Sequence, residues 1–569
     1  MSTNAAVIES ADLLAKAEAA LDRDYHELPL PHPNKILAVW YLLAVAEDYQ
    51  RNLFIGLDPG LSAAAIEFRI DRLKYSLRYG LDRILKEVSD QSPAQVPRRI
   101  IPMLYERTAK LLFGGLDFIA ANQLCSAAHA GTVRFVDHQN EIEVLIDEQH
   151  HHKGYAALEL MGHEQTNVVD FAALFFAYLR LPENRPQILQ EIALTVRIRN
   201  RLVEYEYLQN LAIELAQEIE QPSFLIPDGW AFPWGGRVET TLLLNALSLR
   251  CFYHLVAVHF GSLHLALRGG GEANICLVLT PKQLADDLKL VSSLSPKVIA
   301  AFIQYLTYGF GTKTPDPALQ PIVQLGPDKL ALPCIHFLSS NHERNLLSLQ
   351  ARIQQKQYDA MSDLFEKNMV RRLEAQLRDK WPALRVNIEL TLDGGNEEID
   401  LLIADVQTCT LLVCELRWML QPGDPREVQN RKRVCWEKVD QLERKVRWIQ
   451  QRTGAVLKRA FDVPVDSATS EPWSVIGVVI IETFGGVMST KPEFPIMTLA
   501  LFELGMQKAT SLVHFGAWSK SLLWLPQEGV NFKLVTLETE LAGKKLKSFG
   551  MERLQSRSEY REYVTRTFI

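Results

Sequence analysis

The sequence predicts a multidomain α plus α/β protein: a large, mainly helical N-terminal region followed by an α/β domain with a central mixed sheet. Three observations predict it. At 569 residues the chain exceeds one ordinary domain. Residues 1–350 carry apolar positions at helical spacing, with few strand-like runs. From about residue 355 the pattern becomes helix, three short strands, helix, then two more strands.

Composition narrows the function classes. Hydrophobic content of 47% and charged content of 23% are those of a globular, water-soluble chain. A formal net charge of −7 excludes a generic polyanion binder, so any nucleic-acid surface must be local. Seven cysteines are scattered without CxxC spacing and read as reduced thiols. Glu9, Asp12, Lys16 and Glu18 fall at helical spacing, and without a basic n-region followed by an apolar h-region no signal peptide is expected. The apolar run near Phe171–Leu179 is far short of a membrane span. The expectation is a cytoplasmic protein without a membrane partner.

Four segments are expected. Residues 1–220 form a mainly helical domain with helices over Ser10–Asp22, Lys35–Phe54, Leu61–Val88 and Val96–Ala128. A hairpin alternates about Asn140, and helical pattern resumes over about Asn167–Ile219. Residues 221–350 form a second mainly helical region. It opens with the aromatic loop Pro222–Gly236, then a long apolar helix Val238–His264 and a strand Ile275–Leu279. Two amphipathic helices follow, Pro281–Leu290 with Thr280 as N-cap and Pro296–Thr307, then a hairpin about Gly326. Residues 355–525 form the α/β domain, and 526–569 a C-terminal extension.

Within 355–525 each element has its own signal. Tyr358–Trp381 is helical, with Phe365, Met369, Leu373 and Leu377 on one side. Arg385–Leu392, Glu398–Ala404 and Thr410–Leu416 are short aliphatic runs bounded by turn residues. Asp424 and Pro425 fit the start of a long helix, and Gly454 fits its stop. Ser474–Ile481 and Pro495–Leu499 are further strands, and Leu501–Leu522 is helical.

Two carboxylates stand out because an acid in an apolar strand is costly without a partner. Asp400 lies in the second run and Glu415 in the third. If the two strands are neighbours the acids meet and repel, and a divalent cation resolves the repulsion. Glu415 and Arg417 share a face by the period of two. On the following helix Lys438, Gln441 and Lys445 form a polar stripe beside the apolar seam of Val439, Leu442, Val446 and Ile449. Between Pro425 and Arg459 eleven Arg/Lys face four acids, a local excess of +7 opposite in sign to the chain. Arg431, Lys432, Arg433 and Lys445 are the candidates for phosphate contact.

This ordered set resembles the PD-(D/E)xK, restriction-endonuclease-like nuclease superfamily over roughly residues 358–500, about a quarter of the chain. The run Gly395-Asn396-Glu397-Glu398-Ile399-Asp400 is similar to the family's "GEID" form. The resemblance implies a Mg2+- or Mn2+-dependent nuclease acting on DNA, in a setting of bacterial restriction or phage defence. It assigns Asp400 and Glu415 to the metal, with Glu366 adding a carboxylate through water. It assigns catalysis to Asp400, Glu415, Arg417, Lys438 and Gln441. The chain departs from the family at residue 417, where the usual lysine is an arginine. Arginine stays protonated and acts as a fixed fork, and Lys438 can supply an ammonium from the helix. The helical N-terminal region is then a candidate for target recognition or for a protein partner. Two alternatives stay open: a catalytically degenerate fold that binds nucleic acid or serves as a scaffold, and a helical interaction protein whose carboxylates pair with Arg417.

Other motifs carry less. His150-His151-His152 reads as a polar loop, and His254, His259 and His264 do not share a helical face. Neither glycine run, at Gly269–Gly271 or at Gly309–Gly311, has P-loop spacing. Trp230 and Trp234 read as packing residues rather than base-stacking ones.

Overall fold

The structure is a computed structural model that describes all residues except 1, 56–62, 139–140, 147–150, 162–186, 219–225, 265–270, 393–394, 423–424, 464–471, 483, 485–486, 542 and 569. The protein is mixed α/β, with helices throughout and both parallel and antiparallel strand pairs. It divides into two compact units. One comprises Met1–Glu18, Gln123–His163 and Ser362–Ile569; the other comprises Ala19–Asn122 and Glu164–Met361. This division cuts the chain differently from the four expected segments, because residues 123–163 and 526–569 join the unit that holds 362–525.

The first unit is organised on a five-stranded sheet. Its elements are α1 (Gln355–Leu377) from Ser362 onward, β1 (Leu384–Leu392), β2 (Gly395–Asp405), β3 (Thr410–Trp418), α2 (Pro425–Gln450), α3 (Thr453–Phe461), β4 (Ser474–Glu482), β5 (Ile496–Thr498), α4 (Leu499–Lys508) and α5 (Leu512–Ser521). The sheet order is β5-β4-β3-β2-β1. β1, β2 and β3 form an antiparallel meander, whereas β4 runs parallel to β3 and β5 parallel to β4. The parallel step needs a crossover, which α2 and α3 supply. Central β3 is buried from Thr410 to Leu416, so its aliphatic run serves both faces of the sheet.

The period of two sorts the side chains. Leu412, Cys414 and Leu416 pack with Met369, Leu373 and Leu377 of α1 and with Phe502 and Phe515 of α4 and α5. Leu411 and Val413 pack on the opposite side with Val439, Leu442, Val446 and Ile449 of α2. The apolar seam read on the long helix is therefore its buried face. That helix ends at Gln450; Gly454, expected as its stop, lies inside α3. Asp424, the expected N-cap, lies outside the described residues. The helix expected over Leu501–Leu522 is two helices, because Ala509 is extended and the Ser511 side chain caps α5 by accepting from the His514 amide.

A second sheet in this unit joins distant parts of the chain. Val133–His138 and Glu141–Ile146 form the expected hairpin, whose turn lies outside the described residues. Residues Lys545–Lys547 of a C-terminal hairpin, Phe532–Leu541 with Lys544–Arg553, pair parallel with Glu141–Glu143. The expected extension is thus partly sheet, followed by helix Arg557–Arg566.

The second unit is mainly helical. Thr280 caps Pro281–Ser292 in a full capping box, and Ser295 caps Pro296–Tyr305. Leu277–Leu279 pairs with Leu330–Leu332, which pairs with Val323–Gln324. Trp230, Phe232 and Trp234 are buried, with Phe232 stacked on Trp234 at 4.9 Å. His254 is buried between the Tyr205 hydroxyl at 2.7 Å and the Asn274 carbonyl at 2.9 Å. Among the described residues two helices, Pro102–His129 and Arg237–His259, are long and apolar enough to cross a membrane; 33% and 83% of their apolar windows are buried in the protein. Residues 167–186 of the expected helical pattern, which include the apolar run at 171–179, lie outside the described residues, as does His150. The rest of that pattern is two helices, Gln187–Leu194 and Gln209–Glu218, separated by the antiparallel pair Arg197–Arg199 and Leu202–Glu204, and His151 opens the helix His151–Met161 rather than lying in a loop.

Candidate active site

The site forms where the meander comes apart. The β2–β3 ladder runs from Asp405↔Thr410 to Leu401↔Cys414 and then ends. Continuing that register by one rung sets Asp400 opposite Glu415. The next rung, Ile399 with Leu416, is not made. Instead the Leu416 amide donates to Asp400 Oδ2 at 2.7 Å. The aspartate side chain thus stands where a main-chain carbonyl of β2 would stand in an unbroken ladder.

Glu415 has the parity of Leu411 and Val413, so it faces α2. It is fully buried. Lys438 Nζ donates to its Oε2 at 3.1 Å, and Lys445 Nζ donates to its Oε1. The two lysines are seven residues apart, about 20° from superposition on a helix of 3.6 residues per turn. A buried carboxylate needs such partners, because unpaired burial of a charge costs several kcal/mol.

Asp400 is the more weakly supported acid. Burial, then repulsion from Glu415, pushes its carboxyl up to about 6; the Leu416 amide, Lys445 and Lys438 oppose that rise. Burial also raises the neighbouring Cys414 thiol, with Asp400 and Glu415 adding to the effect.

Arg417 shares the parity of Glu415, yet its guanidinium reaches α1 and donates to Glu366 Oε1 at 2.7 Å. Trp418 anchors the strand end by stacking on Phe365 of α1, with centroids 3.9 Å apart. A further acid at this edge, Glu482 of β4, accepts from Arg372 of α1 at 3.0 Å.

The structure brings Asp400, Glu415, Lys438 and Lys445 together, and joins Glu366 to Arg417 beside them. Gln441 is exposed, turned further round α2 than Lys445. Lys445, expected on phosphate, is buried on Glu415 instead. Lys432 is only 3% exposed, because it lies on the inner half of α2. Arg431 donates to the Leu420 carbonyl at 3.2 Å. Of the four candidates for phosphate contact, Arg433 alone is strongly exposed, at 70% of its side chain. Arg444 and Arg447, exposed to a similar degree, extend that surface. Helical phase about the seam separates these groups, and the wheel of α2 could have found it.

No family model, curated protein or solved structure matches this chain.

The donor chemistry bears on a metal ion in two ways. Asp400 and Glu415 offer hard oxygens side by side just past the end of the β2–β3 ladder, and a dication would relieve the repulsion that adds to burial in raising Asp400. Against this, both oxygens of Glu415 carry ammonium groups and Glu366 carries a guanidinium. Among the described residues no group of three or more His, Cys, Asp or Glu side chains is arranged to hold a metal ion.

Proposed function

We propose that residues 355–525 carry a restriction-endonuclease-like nuclease site of the PD-(D/E)xK type that hydrolyses phosphodiester bonds of DNA with Mg2+ or Mn2+. The reading rests on Asp400 and Glu415, which lie beside each other just past the last rung of the β2–β3 ladder. Asp400 and Glu415 would hold the ion, Glu415 exchanging at least one ammonium for it. When bound, the ion supplies charge neutralisation at phosphate and lowers the pKa of a water.

The chain's own residues supply the rest. Arg417 is a permanent cation aligned by Glu366, suited to the charge that builds on the phosphoryl oxygens. Lys438, only partly buried, holds an ammonium at Glu415 Oε2, where it can orient a water or a phosphate oxygen. Arg433, Arg444 and Arg447 on the outer face of α2 suit the sugar–phosphate backbone. A restriction or phage-defence role in the cytoplasm, with the helical region recognising target or partner, belongs to the same proposal.

A second reading has an observation of its own. Glu415 is already neutralised by Lys438 and Lys445, and Glu366 by Arg417, as in a site that binds nucleic acid or serves as a scaffold without cutting. Incubating the full chain with plasmid, single-stranded DNA and RNA separates the two. The nuclease reading expects cleavage with Mg2+ or Mn2+ that Glu415→Ala abolishes; salt-sensitive binding with no cleavage leaves the second.

A further inference from the structure

Asn387 sits in the middle of β1 and is exposed, yet its backbone is left-handed, with φ of 46°. β1 pairs with β2 at Val386↔Leu401 and at Ile388↔Ile399, with the same register on both sides. The rung between them, Asn387 with Asp400, is missing from that ladder. No residue is inserted, so this is not a bulge of the usual two-against-one kind.

The side chains reverse at this rung. Leu384 and Val386 pack on the α1 side of the sheet, whereas Ile388, Leu390 and Leu392 pack on the α2 side. β2 does the same: Leu401 and Ile403 face α1, and Ile399 faces α2. A regular strand keeps residues of one parity on one face. One left-handed residue breaks that phase without changing register. The ribbon rolls there, and its tip lies against α2. Glu397 meets Arg444 at 3.0 Å, and a Cβ added to Gly395 would come within 2.8 Å of the Trp448 ring nitrogen.

Asp400 therefore lies where β2 has no rung to β1 on one side and its last rung to β3 just behind it on the other. From these observations we infer that Asn387 is a positioning residue for Asp400: its left-handed backbone rolls the β1–β2 ribbon and turns the carboxylate onto the Leu416 amide, beside Glu415. Asparagine is the side chain for this task, since among L-residues with a side chain it tolerates the left-handed region best. The catalytic consequence rests on the nuclease reading; the positioning itself does not.

The test uses the full chain and residue-resolved hydrogen exchange at the Leu416 amide, with Asp400→Ala as the reference for its loss. Asn387→Gly keeps the left-handed backbone and is expected to match the wild type within about twofold. Asn387→Val, whose branched Cβ opposes positive φ, is expected to speed Leu416 exchange at least about tenfold, toward the Asp400→Ala rate. Amides of β4 and β5 are expected to stay unchanged, which a general loss of stability would not leave so. In cleavage assays kcat falls with KM unchanged, and Asn387→Gly restores it. If Asn387→Val does not fold, Asn387→Ala takes its place with the same outcomes. Unchanged Leu416 exchange in the Val or Ala variant overturns the proposal, as does an Asn387→Gly variant as impaired as they are. A wild-type protein that cuts nothing removes the nuclease reading, and the exchange result still decides Asn387.

Discussion

The Asp400 carboxylate accepts the amide hydrogen of Leu416 at 2.7 Å, a bond that an unbroken ladder would give to the carbonyl of Ile399. One side chain thereby ends the pairing of β2 with β3 and is itself fixed beside Glu415. The pH dependence of folding follows from that position. With its pKa raised to about 6 in the folded protein, against about 3.9 unfolded, Asp400 keeps a proton that the unfolded chain has lost. Its contribution is most favourable below pH 4, falls as pH rises toward 6, and is constant above. Asp400→Asn should remove a slope worth on the order of 2 kcal/mol across that window. Glu47, raised to about 7 chiefly by burial, has the same sign and remains in the variant. The difference between the two urea-unfolding curves therefore isolates Asp400.

Glu415 and Lys445 form a buried pair, and removing one partner strands the other. Glu415→Ala leaves two ammonium groups facing each other and is expected to cost roughly 3–5 kcal/mol. Lys445→Met leaves Glu415 with Lys438 and should cost less, about 1–3 kcal/mol. Equilibrium unfolding of the two single variants and the double variant measures the coupling; additive costs would mean the pair does not act as one.

Arg417 and Glu366 are partly exposed, with 39% and 27% of their side chains accessible. Such a pair contributes at most about 1 kcal/mol to stability. Arg417→Ala is therefore expected to leave the unfolding midpoint nearly unchanged while cleavage falls at least about tenfold. A large stability loss with cleavage intact would reassign Arg417 to the scaffold.

The exposed face of α2 should behave as a phosphate surface. Arg433→Ala is expected to weaken DNA binding equally for unrelated sequences and to lower the slope of log affinity against log salt by about 1. Gln441→Ala, which changes no charge, should leave that slope as it is. Fluorescence anisotropy over a salt series reads both.

Much of the α/β unit was legible because its signals are local. The aliphatic runs of β2, β3 and β4 and the seam of α2 lie within single elements, and the two acids stood out by their cost of burial. What stayed hidden depends on phase or distance. The apolar residues of β1, Leu384, Val386, Ile388, Leu390 and Leu392, keep one parity throughout, so the sequence reads as one regular strand. The roll at Asn387 sends the first two and the last three to opposite faces without disturbing that pattern. Lys445 reads as a phosphate contact because charge in a basic helix looks solvated; its place seven residues after Lys438 turns it to Glu415 instead. The sheet that joins Glu141–Glu143 to Lys545–Lys547 spans some four hundred residues, beyond any local pattern.

Metal-dependent cleavage by the 569-residue chain decides whether Asp400 and Glu415 form a nuclease site. Plasmid and single-stranded DNA are incubated with Mg2+ or Mn2+, and with chelator, using the wild type, Asp400→Asn and Glu415→Ala. Cleavage is expected from the wild type alone and is lost in chelator, with Asp400→Asn still folded and still binding DNA. Folded wild-type protein that leaves DNA intact in both metals, or Asp400→Asn and Glu415→Ala variants that cut as well as the wild type, would rule out a nuclease site at these two acids.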